Sequence, residues 1–248
     1  MKVLMVNPNT SAAFTLAIQV AADRHKAPGT EVVVTSPASG PRSIEGTYDQ
    51  LLSSRPSLEV LIPARDQYDG FVIACFSDHA LIHAMREMTT KPVLGILEAA
   101  VYTACMLAPT YGIVTTGGDK GKIGVRATLR RYGLADRCIS IRPAGMSVQD
   151  LEGISDKGMR QRILDEARKA VEQDGAEVIV LGCAGMTGLD EELQSALHVP
   201  VIDGVVAALK LIEALVGYGL GTSKRGVYAP LQGKELLNMD PLFSKAYR

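Results

Sequence analysis

The chain repeats one pattern of residues with an offset of 108 positions, and this repeat limits the fold more than any other feature. Cys75 and Cys183 each end a run of apolar, largely β-branched residues, and a proline follows each cysteine after 17 positions. Another apolar run ends 68 positions before each cysteine, at Asn7 and at Thr115. Because self-similarity at a fixed offset marks repeated structural units, we expect two halves with the same fold.

Each half is predicted to alternate strands with helices. Short continuous apolar runs are typical of strands buried on both faces, and they occur at about 2–6, 31–35, 71–75, 93–96, 111–115, 138–142, 177–182 and 200–203. Helical patterns lie between them, for example at about 97–108, 155–174 and 205–217. This alternation favours parallel sheets joined by right-handed crossovers.

We therefore predict an α/β fold of two pseudo-symmetric flavodoxin-like lobes. Each lobe is expected to be a four-stranded parallel sheet flanked by helices, with the active site between the lobes. We assign residues 1–98 plus about 205–248 to the first α/β lobe, and residues 99–204 to the second. The tail from about Val227 to Arg248 matches no motif, and we expect it to pack on a neighbouring subunit or to be mobile.

The composition argues against several classes of function. The net charge of −1 gives no basic surface for nucleic acid or an anionic membrane, and a chain without tryptophan is poorly suited to base stacking. No apolar stretch approaches the ~18 residues of a membrane span, and no signal peptide is recognisable. We expect a cytoplasmic protein with no nucleic-acid or membrane partner. Its four cysteines would then be thiols, and their spacing does not favour a zinc site.

The repeat places Cys75 and Cys183 at the carboxyl ends of equivalent strands. Ligands bind beyond these ends in open parallel sheets, so the two thiols are expected to enter one cleft from opposite sides. This arrangement suits two-base racemization, in which one thiolate removes a proton from an acidic carbon and the other thiol protonates the opposite face. A single cysteine at a strand end is usually a small buried hydrophobe. We interpret Cys105 and Cys138, which lack a counterpart in the repeat, as core residues.

A set of short segments is more specific than any one of them alone. These segments are Asn7-Pro8-Asn9-Thr10-Ser11, Ser43-Ile44-Glu45-Gly46, Ala74-Cys75-Phe76-Ser77-Asp78, Val114-Thr115-Thr116, Leu181-Gly182-Cys183-Ala184-Gly185-Met186, Val199-Pro200-Val201-Ile202-Asp203-Gly204 and Thr222-Ser223-Lys224-Arg225-Gly226. Together they resemble the hydantoin racemase family, a branch of the Asp/Glu racemase superfamily that includes allantoin racemases. The resemblance covers about residues 1–230.

The resemblance implies a racemase that uses Cys75 and Cys183 as its two catalytic residues and needs no cofactor or metal. It implies a small-molecule substrate, either a 5-substituted hydantoin or allantoin. It also implies a homo-oligomer, which we expect to be a tetramer or a hexamer.

The chemistry of such a substrate predicts further site residues. The C5 hydrogen of a hydantoin lies between a carbonyl and a ring nitrogen, so its removal moves negative charge onto the carbonyl oxygen, where oxyanion donors can meet it. Helix N-termini at about 78 and 187 are expected to stabilise the thiolates. Substrate-binding residues are predicted at Asn9, Ile44, Phe76, Ser77, Thr115, Thr116, Ala184 and Gly185, with the backbone N–H groups of 76–77 and 184–185 as the oxyanion donors.

Two places depart from the family pattern and leave the exact substrate open. His79 stands where the family often has proline, and the loop Gly117–Lys122 differs from the usual one. That loop lacks the full pattern of a phosphate-binding loop. His79 and His83 have metal-like spacing but no third ligand, so we interpret them as surface or helix-end residues.

Other features have a structural interpretation. The asparagines after the first strand are candidate caps of the following helix, and the charged stretches 126–137 and 160–169 are interpreted as solvated helix faces. Glu45 and Asp203 are either substrate-orienting or structural, and the sequence does not decide between these roles.

Three alternatives to a hydantoin or allantoin racemase remain open. Maleate-type cis-trans isomerization uses one cysteine as a nucleophile, and arylmalonate decarboxylation uses one cysteine as a proton donor. The presence of both cysteines disfavours the decarboxylase but not the isomerase. A non-catalytic small-molecule sensor would leave the paired thiols without a function.

Overall fold

The computed structural model describes residues 1–247, so Arg248, the end of the tail and of the predicted first-lobe range, lies outside the described residues. Within these residues the strands are Lys2–Val6 (β1), Glu31–Thr35 (β2), Gly70–Ile73 (β3), Val93–Gly95 (β4), Tyr111–Thr115 (β5), Cys138–Pro143 (β6), Ile179–Gly182 (β7) and Val201–Asp203 (β8). The α-helices are Ala12–His25 (α1), Thr47–Ala64 (α2), Ala80–Met88 (α3), Ile96–Leu107 (α4), Gly118–Arg131 (α5), Lys157–Glu172 (α6), Asp190–Leu197 (α7), Gly204–Gly217 (α8) and Pro241–Ser244 (α9).

The strands form two parallel sheets with the same topology. Their order is β2-β1-β3-β4 in one sheet and β6-β5-β7-β8 in the other. Val6 pairs with Ile73, and their counterparts 108 positions later, Val114 and Leu181, pair in the same way. The prediction of two four-stranded parallel sheets flanked by helices is confirmed.

The equivalence of the two sheets fails at one edge. Val6 pairs with Thr35, but Val114 pairs with Arg142, one residue short of the 108-residue offset. Tyr111 pairs with Cys138, two residues short of the offset, and a shift in register between Tyr111 and Gly112 reduces this deficit to one. The inner strands, which carry the cysteine-bearing loops, keep the offset without interruption.

Two equivalent helices are exchanged between the lobes. Helix α4 follows the first sheet but packs on the second sheet through Leu97, Ala100, Val101 and Ala104. Helix α8 follows the second sheet but packs on the first through their counterparts Val205, Ala208, Leu209 and Ile212. On this packing we propose residues 1–98 with about 205–248 as the first lobe, and residues 99–204 as the second.

The start of α1 depends on a short network of polar side chains beyond β1. Ser11 caps the helix, because its Oγ accepts the N–H of Phe14 at 3.3 Å. Asn9 Oδ1 accepts the N–H of Ser11 and the side-chain N–H of Asn7, each at 2.9 Å. The prediction that the asparagines are themselves the cap is therefore wrong, since they orient the serine that forms it.

The described part of the tail packs on its own chain. Phe243 of α9 is buried against α2, and the guanidinium of Arg55 lies 5.5 Å from the centre of its ring. Arg65 donates to the carbonyl oxygen of Lys245 at 2.9 Å. These contacts attach the end of the tail to its own chain, and packing of the tail on a neighbouring subunit stays a prediction. Among the helices of residues 1–247, none combines the length and hydropathy that crossing a membrane would require.

Candidate active site

A cleft of about 480 Å³ lies between the two lobes, and residues from both halves of the chain line it. The structure brings all of the predicted site residues into its wall, namely Cys75, Cys183, Asn9, Ile44, Phe76, Ser77, Thr115, Thr116, Ala184 and Gly185. The two cysteines lie just beyond β3 and β7, the equivalent inner strands of the two sheets. The cleft therefore has one thiol on each side.

The two thiols have different hydrogen-bond partners. Cys75 Sγ lies 3.2 Å from Ser77 Oγ. Cys183 Sγ accepts the backbone N–H of Gly185 at 3.4 Å, and the Thr116 hydroxyl also contributes to its environment. Ser77 and Gly185 occupy equivalent positions of the repeat. The serine contacts its cysteine through a side-chain hydroxyl, whereas the glycine contacts its cysteine through the backbone N–H.

Both thiols resist ionization in this structure. Burial raises the pKa of Cys75 to about 11, and the hydrogen bond with Ser77 only partly opposes this effect. Burial also raises the pKa of Cys183 to about 12. The hydrogen bond from the N–H of Gly185 partly opposes this increase, and the neighbouring Cys75 and Glu45 add to it. The expected stabilization of thiolates by the following helices is outweighed, since α3 and α7 begin only at Ala80 and Asp190.

The backbone donors that remain free differ from the predicted set. The N–H of Ser77 donates to the carbonyl of Cys75 at 2.8 Å, and the N–H of Gly185 is bound by Cys183. The N–H groups of Phe76 and Ala184 make no hydrogen bond within residues 1–247. These two residues are equivalent in the repeat, so each side of the cleft offers one unengaged N–H beside its cysteine.

Asn9 also offers a donor to the cleft. Its Oδ1 is occupied by the Asn7 and Ser11 N–H groups, which fixes the orientation of the amide. Its Nδ2 has no acceptor in the described part of the chain, and the residue lines the cleft. The hydroxyl of Thr115 instead donates to the carbonyl of Gly182 at 3.4 Å and so ties β5 to β7.

Among the other residues singled out from the sequence, the two remaining cysteines and Asp203 have structural positions, whereas Glu45 borders the cleft. Cys138 is buried, and the half-buried Cys105 packs against the same core cluster, as predicted. Asp203 caps α8 through the N–H of Val205 at 2.8 Å and accepts the N–H of Gly188 at 2.9 Å. Glu45 lines the cleft near Cys183. Within residues 1–247, no three His, Cys, Asp or Glu side chains cluster closely enough to hold a metal ion.

A family model described as Asp/Glu/Hydantoin racemase matches residues 3–212. The chain belongs to this family. A hydantoin racemase from Pseudomonas sp. (strain NS671) is 42% identical over 236 residues, which cover 95% of this chain and 94% of the relative. The structure of an allantoin racemase from Klebsiella pneumoniae has a TM-score of 0.91 at 39% identity and covers 98% of each chain. That of an allantoin racemase from Pseudomonas fluorescens has a TM-score of 0.90 at 36% identity, covering 96% of this chain and 100% of that one. The protein is thus an isomerase of the racemase type.

The segment Gly117–Lys122, which the sequence analysis took as a loop, forms the start of helix α5, and the rest of this helix supplies a wall of the racemase cleft that the sequence analysis missed. Its residues Lys120, Gly124, Ala127 and Arg131 line the cleft, and their spacing of three or four places them on one helix face. Arg131 is exposed, as the prediction of a solvated helix face required, but it also borders the site. This wall could have been predicted from the sequence, because α5 begins just beyond the carboxyl end of the inner strand β5, where ligands bind.

The family departure at His79 has a structural explanation in this racemase. The side chain is fully buried, its Nδ1 accepts the N–H of Leu81 at 3.2 Å to cap α3, and its Nε2 lies 3.1 Å from Ser53 Oγ. Burial lowers the pKa of His79 to about 4, so the ring is neutral. The prediction of a helix-end residue is correct for His79, which caps α3 from a buried position.

Proposed function

We propose that this racemase inverts the C5 centre of 5-substituted hydantoins or of allantoin by cofactor-independent proton transfer between Cys75 and Cys183. The observation that carries the proposal is the placement of these two thiols in the wall of one cleft, one from each lobe. An enzyme that inverts a carbon centre must reach both faces of a planar intermediate. The relatives named hydantoin racemase and allantoin racemase supply the substrate class.

The proton transfer is balanced without any further reactant. In one direction the thiolate of Cys75 removes the C5 proton, and the electron pair of the C–H bond moves toward the ring carbonyl oxygen. Cys183 then donates its proton to the opposite face of C5. Cys75 ends as a thiol and Cys183 as a thiolate, and the other enantiomer reverses the two roles.

The raised pKa values of the thiols suit a weakly acidic carbon. A thiolate derived from a thiol with a pKa of about 11 or 12 is a stronger base than an ordinary cysteine thiolate. The same shift reduces the fraction of thiolate at neutral pH. The basicity of the enzyme thus comes from the burial of the two thiols.

The charge that develops on the carbonyl oxygen needs donors in the cleft. We propose that the unengaged N–H groups of Phe76 and Ala184 fill this role, with Asn9 Nδ2 binding another ring atom. Such preorganized donors stabilise developing negative charge. Because one N–H lies beside each cysteine, either orientation of the ring is served.

We further propose a cytoplasmic homo-oligomer, either a tetramer or a hexamer. A reducing compartment keeps two cleft thiols from oxidizing. Large apolar side chains are exposed on three helices, including Leu16 on α1, Leu51 on α2 and Met106 on α4, which suits subunit contacts. Light scattering of the purified protein measures the assembly directly.

The test follows single enantiomers of allantoin and of several 5-substituted hydantoins by polarimetry, with C5 exchange in deuterated water followed by NMR. Cys75→Ser and Cys183→Ser are each expected to lose about 10²–10⁴-fold in racemization rate. Cys105→Ser is the matched control, because Cys105 lies outside the cleft, and it should retain activity. Full racemization by either cleft variant would contradict the two-thiol mechanism.

The same assay discriminates the alternatives. If no enantiomer loses rotation faster than the spontaneous rate, the substrate class is wrong, and maleate-type and malonate-type acids are the next substrates to measure. A protein that binds but converts none of these compounds, and that tolerates loss of both cysteines, would be a sensor.

A further inference from the structure

The carboxylate of Asp78 links the cysteine-bearing loop of the first lobe to the second lobe. Asp78 lies three residues beyond Cys75, between β3 and α3. Its Oδ1 accepts the hydroxyl of Tyr132 at 2.9 Å. Its Oδ2 accepts the Nε and Nη2 groups of Arg131, at 3.3 and 3.1 Å. Arg131 and Tyr132 stand at the end of α5, so these bonds cross from one lobe to the other.

A histidine of the first lobe also contacts the carboxylate of Asp78. His83 of α3 lies with its Nε2 2.9 Å from Asp78 Oδ1. The other ring nitrogen of His83 lies 2.8 Å from the hydroxyl of Tyr228, whose ring lies nearly parallel to the imidazole. Burial alone would raise the pKa of Asp78, but hydrogen bonds from His83, Tyr132 and Arg131 hold it below its usual range.

Two other carboxylates also join the lobes, but their settings differ. Glu191 pairs with Arg24 at 2.7 Å, and both side chains are 59% exposed. Glu152 pairs with Arg42 at 2.7 Å. The Asp78 side chain is only 13% exposed, and among these three carboxylates it alone lines the cleft. Because water screens exposed pairs, we expect the Arg24–Glu191 pair to contribute little.

We propose that Asp78 is a positioning residue that sets the separation of the two thiols by fixing the Cys75 loop against α5 of the second lobe. The proposal rests on the proposed two-thiol function. Inversion at C5 needs both thiols in reach of one carbon, whereas hydrogen exchange without inversion needs only one. A misplacement of about 1 Å can cost roughly 10²-fold in rate. Loss of the Asp78 link should therefore reduce inversion more than exchange.

The first measurement is the ratio of C5 deuterium exchange with retention to inversion, for one enantiomer in deuterated water. Asp78→Asn removes the charge at constant size and should raise this ratio by about threefold or more relative to the wild type. Tyr132→Phe removes one bond to Asp78 from a residue that does not line the cleft, so it should raise the ratio in the same direction. Glu191→Gln is the matched control and should leave the ratio unchanged.

The second measurement reports the thiol separation without relying on racemase activity. 1,3-Dichloroacetone bridges two nearby thiols, each of which displaces one chloride and releases one proton. Peptide mass spectrometry then gives the fraction of chains in which one reagent joins Cys75 to Cys183. We expect this fraction to fall about threefold in Asp78→Asn and to stay at the wild-type level in Glu191→Gln.

Each outcome decides the proposal. An unchanged bridging fraction in Asp78→Asn, or equal losses of exchange and inversion, would mean that Asp78 only supports folding. A wild-type ratio in Tyr132→Phe beside an altered ratio in Asp78→Asn would place the effect within the Cys75 loop and overturn the link to the second lobe. If the wild type neither exchanges nor inverts any hydantoin, the proposed function fails. The bridging fraction then still tests whether Asp78 sets the separation of the two thiols.

Discussion

The backbone of Gly185 and the ring of Phe14 touch across the boundary between the two lobes. A Cβ at residue 185 would lie 2.9 Å from Cε1 of Phe14 and 2.9 Å from the side chain of Leu151. Phe14 belongs to α1 of the first lobe, yet it packs into the core of the second. Glycine is therefore required here by packing against Phe14 and Leu151, in addition to its N–H bond to Cys183.

This contact makes Gly185→Ala a sharp test of the interlobe packing. The added methyl group must displace a ring or a buried leucine, so we expect a loss of about 1–3 kcal/mol in the free energy of unfolding and a fall in turnover. Urea denaturation measures the first quantity. Gly124→Ala is the matched control, because its Cβ would meet no atom within 4 Å. Equal stability of the wild type and Gly185→Ala would mean that Phe14 is free to move.

The open space above Gly124 predicts a way to change substrate preference. Gly124 lines the cleft and lies in the middle of α5. Because glycine is a poor helix former, alanine at this position should stabilise the helix by up to about 1 kcal/mol. Gly124→Leu should raise KM for hydantoins with bulky C5 substituents while leaving small ones nearly unaffected. Arg130→Leu adds the same side chain outside the cleft wall and should change neither KM. A uniform change across substrates would mean that the C5 substituent lies elsewhere.

The two raised thiol pKa values predict the pH dependence of racemization. In the proposed mechanism the reactive form has one thiolate and one thiol, and below a pKa of about 11 its population grows tenfold per pH unit. For the free enzyme, log kcat/KM should therefore rise with a slope near 1 between about pH 6 and 9. Initial rates with one enantiomer measure this slope. A plateau near pH 7 would indicate that one thiol is already ionized in the free protein.

The same shifts predict a loss of stability at alkaline pH. A thiol whose pKa is raised by folding contributes stability fully below its unfolded pKa, near 9.0, and loses it as pH rises through the folded value. Between about pH 9 and 11 the free energy of unfolding should fall by up to about 1.4 kcal/mol per unit of pKa difference for each thiol. Urea titrations at several pH values measure this. Cys138→Ala removes one contributing thiol, whose pKa burial raises to about 12, and should flatten the decline.

The contacts of Lys224 indicate a structural role for the segment Thr222–Gly226. Its ammonium donates to the carbonyl oxygens of Arg86 and Glu87 at 2.8 Å and of Thr89 at 3.3 Å, at the end of α3. Lys224→Met leaves these carbonyls without a donor and should cost about 1–2 kcal/mol of stability. Thermal unfolding measures the loss. Arg225→Met, at the exposed neighbouring residue, is the control and should unfold at the wild-type temperature.

Much of the fold could be predicted because the repeat is carried by short-range patterns. Apolar runs and prolines at matched distances locate the strands, and the pairing of Val6 with Ile73 and of Val114 with Leu181 follows the same offset. The shift at Tyr111 has no comparable signal, since a bulge depends on how the edge strand meets its neighbour.

The site was predictable in position but not in its hydrogen bonds. Loops at the carboxyl ends of inner strands must meet at one edge, so the residues around Cys75 and Cys183 could be grouped from the sequence. The sequence could not show which backbone N–H groups are free to bind a substrate, because the N–H groups of Ser77 and Gly185 donate to Cys75 and Cys183 in their own loops. The Asp78 link was also out of reach, because its partners at Arg131 and Tyr132 lie more than fifty positions away.

The exchange of α4 and α8 between the lobes has a consequence for how this architecture is built. A half-length chain ending near residue 108 would carry α4 with its apolar face uncovered, since that face belongs on the sheet of the other half. A second copy of the same half would accept it and offer its own helix in return. The molecule therefore has the arrangement of a domain-swapped homodimer whose two copies are joined in one chain, and its two cleft thiols stand at equivalent positions of those copies.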